Sequence, residues 1–219
     1  MQIAIDGPAG AGKSTIAKRL AKESGYIYVD TGAMYRAMAL FLIRQGISAD
    51  DRNGIESACE NADITIKYID GEQNVILNGE NVNGLIRTQE VSNMASASSV
   101  NGKVRQKLVA LQQKLAATED VVMDGRDIGT VVLPDAEVKI FLTASSAVRA
   151  KRRYDELKSK GEDCDLDVIE KEIKERDERD MTREISPLKQ ADDAVVVDTS
   201  DMSIDEVVDA IRDLISQLR

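Results

Sequence analysis

Ile3-Ala4-Ile5-Asp6-Gly7-Pro8-Ala9-Gly10-Ala11-Gly12-Lys13-Ser14-Thr15 decides the fold of this chain. Ile3–Asp6 reads as a short buried strand. Ser14–Ser24 reads as a helix, with Ile16, Ala17, Leu20 and Ala21 on one face and Gly25 as its stop. Between them, Gly7 to Ser14 fits the pattern G-x-x-x-x-G-K-[ST]. Gly10 and Gly12 allow backbone angles at which successive N–H groups curl around an anion. The helix that follows points the positive end of its dipole at the same place. Lys13 brings a mobile charge to the β- and γ-phosphates, and Ser14 offers a hydroxyl to Mg²⁺. Strand, anion cradle and helix in succession open a parallel sheet covered by helices.

Working outward, Ile27–Asp30 is a second strand, and Thr31 is expected to cap a helix that runs to Gln45 and closes at Gly46. The rhythm then changes. Ile64–Ile69 alternates, Asp70-Gly71 marks a hairpin, Val75–Leu77 returns, and Asn78-Gly79 turns again before a helix near Thr88–Ser98. Val104–Ala117 is helical, Asp120–Asp124 and Val138–Leu142 are strands, Val148–Lys160 and Asp167–Thr182 are helices, and Ala194–Asp198 is the last strand. Ser203 and Glu206 form a capping box for a final helix carrying Ile204, Val207, Val208, Ile211, Leu214, Ile215 and Leu218. The expected fold is α/β: a parallel sheet flanked by helices in a single domain. Its core is 1–61, 100–148 and 184–219, with an antiparallel-β/helix insert at 62–99 and a short helical lid at 149–183.

Composition narrows the chemistry. The 219 residues carry a formal net charge of -10 with 3% aromatics and no Trp, which argues against a surface for nucleic acid. His is absent, so no mechanism with a histidine base or ligand is available. Cys59 and Cys164, far apart, form no zinc pattern and suit a reducing cytosol. No targeting or membrane-spanning stretch is evident, so a cytoplasmic protein is expected, with a monomer as the simplest state.

The loop alone says only that a nucleoside triphosphate binds, at Gly7, Pro8, Ala9, Gly10, Ala11, Gly12, Lys13, Ser14 and Thr15. Three further stretches supply the other side of a phosphoryl transfer, which needs cations gathered around two anions. Asp30-Thr31-Gly32-Ala33-Met34-Tyr35-Arg36 and Asp124-Gly125-Arg126-Asp127-Ile128-Gly129-Thr130 each start at the carboxyl end of a strand, where α/β sheets bind ligands. Asp124 there is placed to hold Mg²⁺ through water. The third is the charged helix with Arg176, Asp180 and Arg183 on one face, preceded by Arg149 and Arg153 one turn apart. Its apolar anchors are few, Leu166, Val168, Ile169 and Ile173, which suits a lid that closes.

With Ile86-Arg87-Thr88-Gln89-Glu90-Val91 and Glu175-Arg176-Asp177-Glu178-Arg179-Asp180, these stretches together resemble the bacterial cytidylate kinases, within the nucleoside monophosphate kinase family. The likeness spans essentially the whole chain. It implies transfer of the γ-phosphoryl group of ATP to CMP or dCMP, with Mg²⁺, and an insert that binds the monophosphate. It further implies that Arg36 and Arg126 hold the monophosphate, with Thr31 beside it. Ser96, Arg105 and Asp127 would read cytosine; Arg176 and Asp180 would approach the sugar and Arg183 the acceptor nucleotide. Lys13, Arg126, Arg176 and Arg183 would be the catalytic cations, and Arg149 and Arg153 would join the ATP site. A kinase for another small acceptor and a non-enzymatic ATP-binding switch are the other two readings of the phosphate loop.

Overall fold

The computed structural model describes residues 1–217. Leu218, the last apolar position of the C-terminal pattern, lies outside the described residues. The main sheet is parallel and five-stranded, in the order β2-β6-β1-β7-β8; a second sheet is antiparallel and three-stranded, β3-β4-β5. The chain divides into two compact units, Ile27–Asp120 and the remainder.

The first unit is built on β1 (Gln2–Asp6), β6 (Val121–Gly125), β7 (Val138–Thr143) and β8 (Val195–Asp198). Strand β1 lies between β6 and β7, with Ile5 opposite Asp124 and Ile140. Ile3, Ala4, Ile5, Val121, Val122 and Met123 are fully buried, as a strand covered on both faces requires. Each large aliphatic side chain so enclosed contributes about 2 kcal/mol. Helix α1 (Lys13–Ser24) packs on β6, and α8 (Ile204–Gln217) packs on α1. The capping box forms as read: Glu206 N donates to Ser203 Oγ (3.3 Å), and Ser203 N donates to Glu206 Oε2 (2.8 Å). Helices α6 (Ser146–Ser159) and α7 (Leu166–Thr182) pack together, but only Arg149, Ala150, Ile169 and Asp180 are buried in them.

The second unit holds β2 (Ile27–Asp30), α2 (Thr31–Arg44), α3 (Arg52–Cys59), the hairpin β3 (Ile64–Ile69) and β4 (Glu72–Leu77), the short β5 (Glu80–Asn81), α4 (Gln89–Ser98) and α5 (Gly102–Ala116). The hairpin pairs Ile64 with Leu77 through Ile69 with Glu72, and Asp70 (φ 53°) and Gly71 (φ 77°) make the primed turn that Asp-Gly announces.

Two expectations need correction, and two elements carry no sequence signal. Thr31 does not cap α2: Asp30 does, its side chain accepting from Ala33 N, because Asp30 keeps the extended backbone of a cap (φ −80°, ψ 95°) while Thr31 is already helical. Strand β6 continues past Asp124 to Gly125, since Gly125 still pairs in register with Asp6. Helix α3 escaped the reading because it has eight residues, Gly54 inside, and only Ile55 and Cys59 buried. Ile128–Val132 forms a π-turn. Its apolar run shows no period to announce it.

Candidate functional site

In the first unit the phosphate loop links β1 to α1. Gly7 takes φ 145°, and a Cβ there would lie 1.9 Å from the Leu142 carbonyl oxygen, so no side chain fits. Gly10 (φ +79°) lies against Arg149, whose Cβ would be 3.3 Å from an added Cβ. Helix α1 has Gly12 at its N-cap and no side chain capping it, which leaves its first N–H groups for an anion.

Lys13 is buried, and its Nζ donates to the Pro8 carbonyl at 2.7 Å. Burial first and the Arg126 guanidinium second pull its pKa down to about 7, against the opposing charges of Asp124 and Asp6. Ser14 Oγ donates to Asp124 Oδ2 at 2.9 Å. A hydroxyl and a carboxylate side by side are the hard oxygen donors that suit Mg²⁺, so these two residues fit that ion.

The turn after β6 gathers opposite charges. Arg126 Nε donates to Asp180 Oδ2 of α7 at 2.9 Å, and its NH1 to the Gly125 carbonyl at 3.3 Å. Arg183, its side chain 6% exposed, has NH2 3.9 Å from Asp127 Oδ1, and its Nε donates to the Ser186 carbonyl at 2.6 Å. Arg176 lies on α7 one turn before Asp180 and adds its charge to the field that lowers the Lys13 pKa. Arg126, Asp127, Asp180 and Arg183 are thus brought together, although α7 ends at Thr182 and Arg183 follows it in extended backbone rather than on the helix face expected for it.

Arg149 of α6 touches the phosphate loop. Its guanidinium is buried and fully engaged: Nε donates to Ala144 O (2.9 Å), NH1 to Ala9 O (3.1 Å), and both terminal nitrogens to Asp177 (3.1 and 2.6 Å). It braces the phosphate loop through Ala9 and ties α7 to the residue that follows β7. Arg153 is half exposed and pairs with Glu156 at 2.9 Å. Thr15 is exposed on the first turn of α1.

In the second unit, Asp30 is buried and gathers two arginines: Arg36 NH2 lies 3.1 Å and Arg87 NH2 3.4 Å from its Oδ2. Thr31 is buried at the first position of α2. Arg105 is buried on α5, donates from NH1 to the Ser99 carbonyl (3.3 Å), and stacks over the Tyr35 ring at 5.7 Å. Ser96 lies half-buried on α4, its carbonyl accepting from Ser99 Oγ (2.9 Å). Sequence reasoning missed Gln73. Its side-chain amide embraces the Asp30 backbone, accepting from Asp30 N (2.8 Å) and donating to Asp30 O (3.2 Å), which fixes the carboxylate that holds both arginines. Nothing in the sequence marks Gln73, because its partner is 43 residues away.

Among the described residues no helix is long and apolar enough to cross a membrane.

Comparison with known proteins matches residues 3–217 to the family model described as cytidylate kinase. Curated relatives named cytidylate kinase include that of Caldicellulosiruptor bescii, 54% identical over 98% of this chain and 95% of its own length. That of Lactobacillus johnsonii is 52% identical over 99% and 94%. That of Enterococcus faecalis is 49% identical over 99% and 96%. Among solved structures, the shikimate kinase of Bacteroides thetaiotaomicron matches with TM-score 0.51 at 12% identity, covering 99% of this chain and 98% of its own. That likeness speaks for the fold alone.

Proposed function

The chain belongs to the cytidylate kinase family, and on that premise we propose that it transfers the γ-phosphoryl group of ATP to CMP or dCMP, giving ADP and CDP or dCDP. The observation that carries this reading is the family match over residues 3–217, which includes every loop with a buried or ion-paired charge described above. The rival readings, another small acceptor or an ATP-dependent switch, lack any such support.

The residues divide by task. Gly7 to Thr15 wrap the triphosphate, and Lys13 exchanges the Pro8 carbonyl for a phosphate oxygen. The incoming negative charge then restores the full ammonium. Arg153 leans on ATP from α6, and Arg149 reaches the loop through Ala9. Ser14 would hold Mg²⁺, with Asp124 acting through water, and the ion would supply positive charge to offset that of the triphosphate. Arg36 and Arg126 hold the acceptor phosphate, with Thr31 beside them. Asp127 accepts from the cytosine amino group, while Arg105 and Ser96 donate to the ring nitrogen and carbonyl. Uracil presents the reversed edge and leaves those groups unmatched. Arg176 and Asp180 meet the sugar, and Arg183 meets the acceptor nucleotide.

Segments 149–183 and 62–99 act as lid and monophosphate-binding insert on the core 1–61, 100–148 and 184–219. No covalent intermediate is needed, since the acceptor oxygen is already anionic. Catalysis is positioning and charge stabilisation by Lys13, Arg126, Arg176 and Arg183. The enzyme works as a cytoplasmic monomer without nucleic acid.

The test is ADP release with Mg-ATP and CMP, dCMP, UMP, AMP, GMP or no acceptor. Fast turnover with CMP and dCMP and weak turnover with UMP is the expected result. Release that ignores the acceptor would leave only an ATPase or a switch.

A further inference from the structure

We propose that Asp6 is a positioning residue for the acceptor nucleotide, its carboxylate clamping the turn that carries Arg126 and Asp127 to the strand that leads into the phosphate loop. Asp6 is the last residue of β1 and only 4% exposed. Its Oδ1 accepts from Ile128 N at 2.8 Å and its Oδ2 from Gly129 N at 2.7 Å. These are the first two amides of the π-turn, groups that have no partner within their own turn. Asp127, at the N-cap, makes no side-chain cap of its own. Asp6 therefore caps the turn from a neighbouring strand, and the Asp127 carboxylate stays out of the cap.

The clamp is held at a cost. Burial is the main reason the Asp6 carboxyl titrates near 6 rather than 3.8, with the Asp127 charge adding to it; the two amides and Lys13 oppose this rise. An apolar residue before Gly7 would bury without that cost. What only a carboxylate supplies is a two-point hold on consecutive amides. One side chain thus sets the register of the triphosphate loop, which begins at the next residue, with the turn that bears Arg126 and Asp127. The proposal rests on the reading that those two residues hold CMP.

The experiment compares Asp6→Asn, Gly129→Ala and Arg126→Ala in the full chain. It measures CMP and ATP affinity by calorimetry, steady-state kinetics with each substrate, and folding by circular dichroism. Asp6→Asn places an N–H donor against an amide N–H, and loss of one charge-assisted bond predicts CMP binding weaker by about tenfold or more. ATP affinity should fall clearly less than CMP affinity, since glycine geometry defines that loop and Asp6 reaches it only through its charge on Lys13. Gly129→Ala puts a Cβ 3.4 Å from Asp6 Oδ2 and 3.2 Å from Lys139 Cδ. It should weaken CMP a few-fold in the same direction, and it decides the matter alone if Asp6→Asn does not fold. Equal loss of ATP and CMP affinity would make Asp6 merely structural and overturn the proposal. So would unchanged CMP affinity in Asp6→Asn, or in Gly129→Ala if that variant decides, while Arg126→Ala weakens it. If Arg126→Ala leaves CMP binding intact, the acceptor reading itself fails and the clamp falls with it.

Discussion

The strand-end loops and the α6–α7 helix pair belong to one compact unit, yet they bury charge with different partners. At the strand ends Lys13 and Asp6 meet backbone dipoles: Lys13 donates to the Pro8 carbonyl, and Asp6 accepts from two amides. In the helix pair carboxylates carry most of the load: Arg149 meets Asp177 besides the Ala144 and Ala9 carbonyls, and Ser146 and the more exposed Lys174 meet Glu170, both at 2.8 Å. A backbone dipole stays where the fold puts it. A side-chain partner can be exchanged for a ligand oxygen at little cost in structure. The contrast separates a fixed half of the machinery from a releasable half, and four measurements would break or sharpen it.

The largest effect belongs to the fixed half. Lys13→Ala should lower kcat by roughly a thousandfold or more, measured as ADP release at saturating CMP. Near-normal turnover would sink the phosphoryl-transfer reading. Next comes the pair that ties the helices down. Arg149→Ala leaves the Asp177 carboxylate without its guanidinium and should cost about 3 kcal/mol of unfolding free energy in guanidinium chloride. A loss under about 1 kcal/mol would show that the helix pair needs no such tie.

The third measurement is a pH dependence with two opposite slopes. Lys13 has a folded pKa of about 7 against 10.5 unfolded, so from pH 7 to 10.5 the unfolded chain binds more protons and stability rises with pH. Asp6 is raised from 3.8 to about 6, so its contribution is complete below 3.8 and is lost as pH rises through 6. Wild type minus Lys13→Met should gain on the order of 2 kcal/mol between pH 7 and 9.5. A flat difference would mean that Lys13 keeps an ordinary pKa. The smallest effect is on the outer face of α7. Lys171 and Glu175 are 3.9 Å apart and 78% and 57% exposed, so Lys171→Ala should change stability by less than about 0.5 kcal/mol.

What was legible in the sequence was whatever is local. Period-2 and period-3.6 patterns marked most strands and the longer helices, Asp-Gly marked the hairpin, and the glycine-lysine spacing marked the triphosphate loop. Arg176, Asp180 and Arg183 were placed on one face by counting turns, and two of them do meet the turn after β6. What was hidden depends on partners far along the chain. Asp6 meets amides 122 and 123 residues away, and Arg149 meets a carboxylate 28 residues on. No local pattern distinguishes these from ordinary charges beside a motif. The Asp30 cap was local but misassigned, because Asp30 and Thr31 are both good caps and only the backbone angles decide between them.

The wide turn at Ile128–Val132 makes chain length itself a determinant. Val132 N donates to Asp127 O at 3.2 Å and Leu133 N to Ile128 O at 2.7 Å, each bond spanning five residues instead of four. Deleting Thr130 would invite an ordinary α-turn and swing the following residues by about 100° around the axis. Most substitutions at Thr130 would leave the backbone count untouched. Evolution along this segment should therefore keep a word of fixed length, with insertions and deletions selected against more strongly than exchanges at Thr130 or Val131, while the buried Ile128, Gly129 and Val132 also stay constrained.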